Sequence, residues 1–333
     1  MRALVTGGGG FLGRYIVEKL VARGDSVRTF CRGDYPELQS LGVEAVRGDL
    51  QDRAATIAAC RDIDVVFHTA AIAGIWGKWE QFYGINVVGT RHVLEGCRDH
   101  QVGRLVFTSS PSATFAGAQE GVDESAPYPA RWLCHYSCTK AMSEQDVLGA
   151  HGLRGVATCA LRPHLIWGPR DNQLVPRMLA RARSGRLRRV GSGKNLIDIT
   201  YVENAADAHL LAADRLSLDS PIGGQAFFIS QGEPVNCWEW IDELLILAGL
   251  EPVKRSISAR AAWNAGAACE AAFKLLGLKQ EPPMTRFLAA QLAQPHYFDI
   301  SRARELLGYQ ARISTAEGMQ EMRDDLRRWA GTA

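Results

Sequence analysis

Short, continuously apolar runs alternate along the chain with stretches in which apolar residues recur every three or four positions. "RALVTG" opens as a buried-strand pattern. "RYIVEKLVARG" follows with helical periodicity and stops at Gly24, a residue suited to ending a helix. Further apolar runs stand at "SVRTFCR", "VEAVRGDL", "DVVFHTAA", "RLVFTSS" and "GVATCALRP". Between them, "DRAATIAACRDI", "INVVGTRHVLEGCRDHQ" and "HYSCTKAMSEQDVLGAHG" read as helices. Strands that are apolar at every position are buried on both faces, and strands alternating with helices predict a parallel sheet covered on both sides. The expected fold class is α/β, a doubly wound parallel sheet of the Rossmann type.

After "WGPRD" the rhythm changes. "LVPRMLARARSGRL" is a basic amphipathic helix, "NLIDITYVENAADAHLLAADRL" a strand entering a helix, and "QAFFIS" a short strand. From Trp238 to Leu292 the pattern is mostly helical, broken at Pro252 and Pro282-Pro283. We expect residues 1–170 to form a dinucleotide-binding domain and 171–333 a smaller substrate domain over the sheet's carboxyl edge. About 196–230 should return to the first.

Composition removes several function classes. The 333 residues are 47% hydrophobic and 22% charged, with a net charge of +2, which gives no field for nucleic acid. No run reaches about 18 apolar residues, so no membrane span is predicted. Arg2 leads straight into a strand-like run, unlike a signal peptide. The eight cysteines lack framework spacing and read as reduced thiols, which points to the cytoplasm. Cys134 and Cys138 share a helix face without further ligands, so no metal is expected.

The first candidate chemistry is "TGGGGFLG". Gly8, Gly10 and Gly13 fit G-x-G-x-x-G, and Gly7, Gly10 and Gly13 fit G-x-x-G-x-x-G. In either template one glycine makes the turn, one lets backbone approach a pyrophosphate, and one lets helix and strand pack. The helix starting at Phe11 and Leu12 aims free N–H groups at that anion. At the end of the second strand Cys31 stands where an acid would bind a ribose 2′-hydroxyl, and Arg32 follows. Arg32 suits a 2′-phosphate, so NADP(H) is favoured and NAD(H) is possible, with Asp34 the rival ribose ligand. Asp49 and Leu50 end the third strand, where Asp49 can accept from the adenine amino group or cap the next helix. Thr69, Ala70 and Ala71 end the fourth strand with side chains small enough for close approach.

"YSCTK" puts Tyr136 and Lys140 four apart, on one helix face. A phenol titrates near ~10 and needs a neighbouring cation to exchange protons near neutrality, which Lys140 could be, joined by the positive ring of the oxidised cofactor. "TSSPSA" offers Ser110 to hydrogen-bond a substrate oxygen, or Ser112 if Pro111 bulges the chain. Asn86 could hold a water or a carbonyl for a proton relay, or cap a helix.

These motifs, with "NVVGT", "LRPHLIWGP" and "YVENAADAH", occur in the order seen in extended short-chain dehydrogenases/reductases, which the chain resembles over nearly its whole length. It looks most like the 3β-hydroxysteroid dehydrogenase-like branch, whose C-terminal pattern "PPMTR…HYFDISRARELLGYQ" resembles. "LRPHLIWGPRDNQLVPRMLARARSGRL" is similar to bacterial members, which include 2-alkyl-3-oxoalkanoate reductases of olefin biosynthesis. The resemblance implies catalysis by Ser110, Tyr136 and Lys140, with Pro163 and His164 against the nicotinamide carboxamide. It also implies a homodimer, associated in some cases with pathway enzymes.

Ile75, Trp76, Trp79, Trp132 and Trp167 flank the expected cleft and favour an apolar substrate with one ketone or alcohol. The expected reaction is NADP(H)-dependent reduction of a long-chain β-keto acid to the 3-hydroxy acid. The alternatives are a 3β-hydroxysteroid-type dehydrogenase and an NAD-dependent nucleotide-sugar epimerase or dehydratase. The alanine-rich stretch 258–278 reads as a lid or a subunit contact.

Overall fold

The computed structural model describes residues 1–331. Each apolar run of the first half forms a strand: β1 (Arg2–Thr6), β2 (Ser26–Cys31), β3 (Glu44–Arg47), β4 (Val65–His68), β5 (Arg104–Thr108) and β6 (Ala157–Pro163). The connecting helices are α1 (Phe11–Ala22), α2 (Arg53–Ala59), α3 (Gly89–Asp99) and α4 (His135–Leu148). A π-helical turn, Tyr83–Val88, leads into α3.

The second half contributes α5 (Leu174–Arg183), α6 (Val202–Arg215), β7 (Ala226–Ile229), α7 (Cys237–Leu247), α8 (Ala259–Leu275) and α9 (Arg286–Ala293). β7 joins the main sheet, so seven parallel strands lie in the order β7-β6-β5-β4-β1-β2-β3. The order reverses between β1 and β4, where α/β sheets open a crevice at their carboxyl edge. Register brings that edge level: Thr6 pairs with Phe30 and His68, and His68 with Phe107.

Two cores sandwich the sheet. α1 and α6 pack on one face, around Val5, Val17, Phe67 and Phe227. α2, α3 and α4 cover the other, around Phe30, Val66, Val93 and Phe107. Residues Phe298–Tyr309 also join the α1–α6 core, a return the sequence pattern did not announce. A third core gathers Trp167, Leu179, Trp238, Leu245 and Met322 beyond the carboxyl edge, where α5, α7 and α9 stand. It carries a four-stranded sheet of Val235–Asn236, Leu196–Ile197, His296–Phe298 and Gln119–Val122. These strands of two to four residues are too short for periodicity to reveal. Among the described residues no helix is long and apolar enough to cross a membrane.

Candidate active site

The glycine loop is shaped by contacts that leave no room for side chains. Gly7 has φ +72°, a left-handed conformation, and a Cβ there would stand 2.9 Å from the Ala70 Cα. A Cβ on Gly13 would meet the Gly7 carbonyl oxygen at 2.3 Å, so α1 can start against the turn only with glycine there. The turn is closed by Gly10 N–H donating to Gly7 O at 2.8 Å and Gly7 N–H to Phe30 O at 3.0 Å. The N-terminus of α1 has no side-chain cap, leaving its N–H groups for an anion. Tyr35, which the sequence did not single out, lies over Gly9 and walls this end.

One cavity of about 1210 Å³ runs from this loop along the sheet's carboxyl edge. Gly7, Gly10, Phe11, Leu12, Gly13, Arg32, Asp49, Leu50, Thr69, Ala70 and Ala71 line its first part. Arg32 is exposed, and its carbonyl accepts from Arg47 Nε at 3.1 Å, so a second guanidinium stands nearby. Asp34 does not line this cavity; its carboxylate accepts from Gln39. One oxygen of Asp49 is taken by the Gln51 N–H at 2.9 Å, while α2 is capped by Asp52.

Ser110, Ser112, Tyr136, Lys140, Pro163 and His164 line the middle. The strand end of β5 and the first turns of α4 bring the hydroxyls to the phenol. Ser110 and Ser112 are bonded to each other at 2.9 Å, so both reach the cavity despite Pro111. Burial pushes the Tyr136 phenol up to about 12, and the Ser110 hydroxyl is the group that pulls it back. The Lys140 ammonium donates to the Thr108 carbonyl and lies 4.2 Å above the Phe107 ring. Burial lowers it to about 7, opposed by Glu144 one turn on. In the protein alone burial, not Lys140, sets the direction for the phenol; the expectation joined Lys140 to the positive ring of the oxidised cofactor. Desolvation dominates, and the ammonium's hydrogen bond goes to a backbone carbonyl.

Asn86 does hold a backbone carbonyl, that of Ile72, and the capping alternative is the one corrected. It is buried inside the π-helical turn rather than at a helix start, and it does not line the cavity. Its amide clamps the Ile72 backbone (2.8 Å to N, 3.3 Å to O) and donates to Thr139 Oγ1 at 3.0 Å. It holds the loop after β4 against α4.

Residues 4–258 match the 3-beta hydroxysteroid dehydrogenase/isomerase family. The chain belongs to this family. It is 47% identical over 327 residues to a 2-alkyl-3-oxoalkanoate reductase of Stenotrophomonas maltophilia, covering 97% of this chain and 98% of the relative. It is 36% identical over 331 residues to the decarboxylating sterol-4-alpha-carboxylate 3-dehydrogenase of Homo sapiens, covering 96% and 86%. Among solved structures, MoeE5 in complex with UDP-glucose and NAD superposes with a TM-score of 0.76 at 26% identity, covering 98% and 99%. This hydroxysteroid dehydrogenase family member is thus an oxidoreductase of the extended short-chain type, acting on CH–OH or keto groups with a nicotinamide cofactor. The glycine cradle fits such a dinucleotide.

The far end of the cavity departs from expectation. Of the residues expected against the substrate, Ile75 and Ser112 line the cavity, but Trp76, Trp132 and Trp167 do not. Trp167 is fully buried, edge-on to Tyr201 and Trp240. Trp132 donates to the Ala113 carbonyl at 2.9 Å, and Trp76 to the Leu278 carbonyl at 3.3 Å. Trp79 stacks on Tyr83. Each indole found a packing or hydrogen-bond partner elsewhere. The wall is built instead by Met178, Leu187, Trp240, Ile241, Phe287 and Leu288. Arg177 and Arg181 also face this chamber and share the Glu281 carboxylate, so the cleft is not free of cations. α8, within the stretch read as a lid, lines no part of the cavity and braces α9: Glu270 accepts from Arg286 N and Nε.

Proposed function

We propose that the chain is an NADP(H)-dependent reductase of long-chain 2-alkyl-3-oxoalkanoates, the class named for its bacterial relative. One observation carries the reading: a single cavity joins the glycine cradle, the Ser110–Tyr136 pair and an apolar chamber. Two guanidiniums against one carboxylate in that chamber suit an acid with a long alkyl tail better than a neutral sterol.

The glycine loop, Asp49, Thr69–Ala71, Lys140, Pro163 and His164 would hold the dinucleotide, with Arg32 on a 2′-phosphate. The bound cofactor supplies a hydride and, once oxidised, a positive ring. Tyr136, kept protonated by burial, is the acid that gives its proton to the ketone oxygen as that oxygen gains charge. Ser110 donates a hydrogen bond to the same oxygen. Lys140 provides the ammonium that restrains the ribose.

A substrate panel followed at the reduced-cofactor absorbance tests this. The 2-alkyl-3-oxoalkanoate is expected to consume NADPH, and Arg32→Ala to weaken NADPH about 10- to 100-fold while leaving NADH unchanged. Turnover of a 3β-hydroxysteroid only, or retained NAD with UDP-sugar epimerisation and no net oxidation, overturns the reading.

A further inference from the structure

Arg177, Arg181 and Glu281 line the cavity yet keep 44%, 29% and 22% of their side chains exposed, which sets them at its mouth. Glu281 lies in the segment 276–285, which joins α8 to α9. Both roots of that segment are fixed. A Cβ on Gly266 of α8 would meet the Arg286 nitrogen at 2.7 Å, so the two helices pack backbone to backbone. Glu270 accepts from Arg286 N at 2.7 Å, and Thr285 caps α9. Between the roots the chain stands out into solvent: Leu276 is 68% exposed, and Gly277 turns with φ +64°. Two contacts tie this strap down. On one side Trp76 Nε1 donates to Leu278 O at 3.3 Å, next in the chain to Ile75 of the cavity wall. On the other the Glu281 carboxylate accepts from Arg177 Nη2 and lies 3.7 Å from the Arg181 guanidinium, both on α5.

Charge does not balance at the second contact. Two guanidiniums face one carboxylate. Asp171, which also lines the cavity, is spent: its oxygens accept from the N–H groups of Gln173, Leu174 and Val175 at the start of α5. Burial lowers Arg181 from its ordinary value; Glu281 opposes that shift and Arg177 adds to it, so a further anion would stabilise both charges. An ion pair this exposed is held loosely and exchanges readily. The group already seated on the two guanidiniums reports the ligand class, a planar carboxylate on an alkyl stem. The wall that α5 continues from there, Leu174 and Met178, is apolar.

We propose that Arg177 and Arg181 form a receptor for the carboxylate of a long-chain acid, and that Glu281 is its internal stand-in: the entering acid displaces Glu281 and releases the strap. The proposal rests on reading the chamber as the site of a long-chain acid. The exchange is carboxylate for carboxylate, so no proton moves and neither guanidinium is left bare. A neutral ketone or sterol brings nothing to exchange and leaves the strap fastened.

Dodecanoate, a carboxylate without a ketone, tests the receptor apart from turnover, and dodecanol is the neutral control. In calorimetric titrations Glu281→Gln should bind dodecanoate about five- to tenfold more tightly than the wild-type chain does, because no internal carboxylate competes, with dodecanol unchanged. Arg177→Gln combined with Arg181→Gln should weaken dodecanoate about tenfold and spare dodecanol. Hydrogen exchange read by mass spectrometry needs no variant: dodecanoate added to the wild-type chain should speed exchange across 276–285 about threefold, and dodecanol should not. If the wild-type chain reduces a 2-alkyl-3-oxoalkanoate and any of these results is absent, the proposal alone is overturned. If it binds dodecanoate as expected but reduces no such acid, the receptor stands and the proposed function falls. If it does neither, both fall.

Discussion

The two ends of the cavity are made of different material. At the glycine loop the walls are backbone: Gly7 and Gly13 are dictated by a carbonyl and a Cα within 3 Å of where a Cβ would go. At the far end the walls are side chains of α5, α7 and α9, such as Met178, Ile241 and Phe287. A backbone wall admits no alternative residue and recognises what every dinucleotide shares. A side-chain wall can be resized one position at a time, which suits a substrate that differs among relatives.

That contrast can be broken most sharply at the junction of the two ends. Tyr136→Phe should lower turnover about 10²- to 10⁴-fold while leaving cofactor affinity unchanged, as read by steady-state kinetics and titration. Retention of wild-type rate would remove the phenol from the chemistry. Next comes the backbone end. Gly13→Ala should destabilise the fold by about 1–3 kcal/mol and abolish measurable cofactor binding, checked by urea unfolding and calorimetry. An alanine that binds cofactor normally would show that the turn can give. At the side-chain end, Phe287→Ala should raise KM for a long-chain substrate about tenfold with kcat little changed, and less for a short-chain one.

The remaining effect is electrostatic and bears on stability, not on turnover. Lys140 sits at about 7 in the folded chain, well below its value when unfolded. Above that point the unfolded chain holds a proton the folded chain has shed, so stability rises with pH. Between pH 7 and 8.5 the gain is at most about 2 kcal/mol, and Lys140→Met should flatten it in urea midpoints taken across that window.

The same contrast explains what could be read from the chain. Turn glycines, strand ends and the Tyr136–Lys140 spacing are local, and a local pattern fixes them; the strands, their order of appearance and the cavity's first part followed directly. The tryptophans misled because an indole near a cleft in sequence packs as readily against a buried neighbour, as Trp167 does against Tyr201 and Trp240. The true wall lay in helical periodicity at Leu174, Arg177, Met178 and Arg181, and at Phe287, Leu288, Gln291 and Leu292. That pattern marks a buried stripe but not whether protein or ligand covers it. The pairing of Arg177 with Glu281, 104 residues apart, had no local signal at all.

The late return of β7 and of Phe298–Tyr309 to the first core has a practical meaning for anyone dissecting the molecule. A fragment cut after residue 170 would bare one edge of β6 and strip α6 from beneath the sheet, so it should aggregate rather than fold. The first and last stretches of the chain share one core, so exchanging the chamber wall means replacing two internal spans, one between β6 and α6 and one between β7 and Phe298, with every seam left intact.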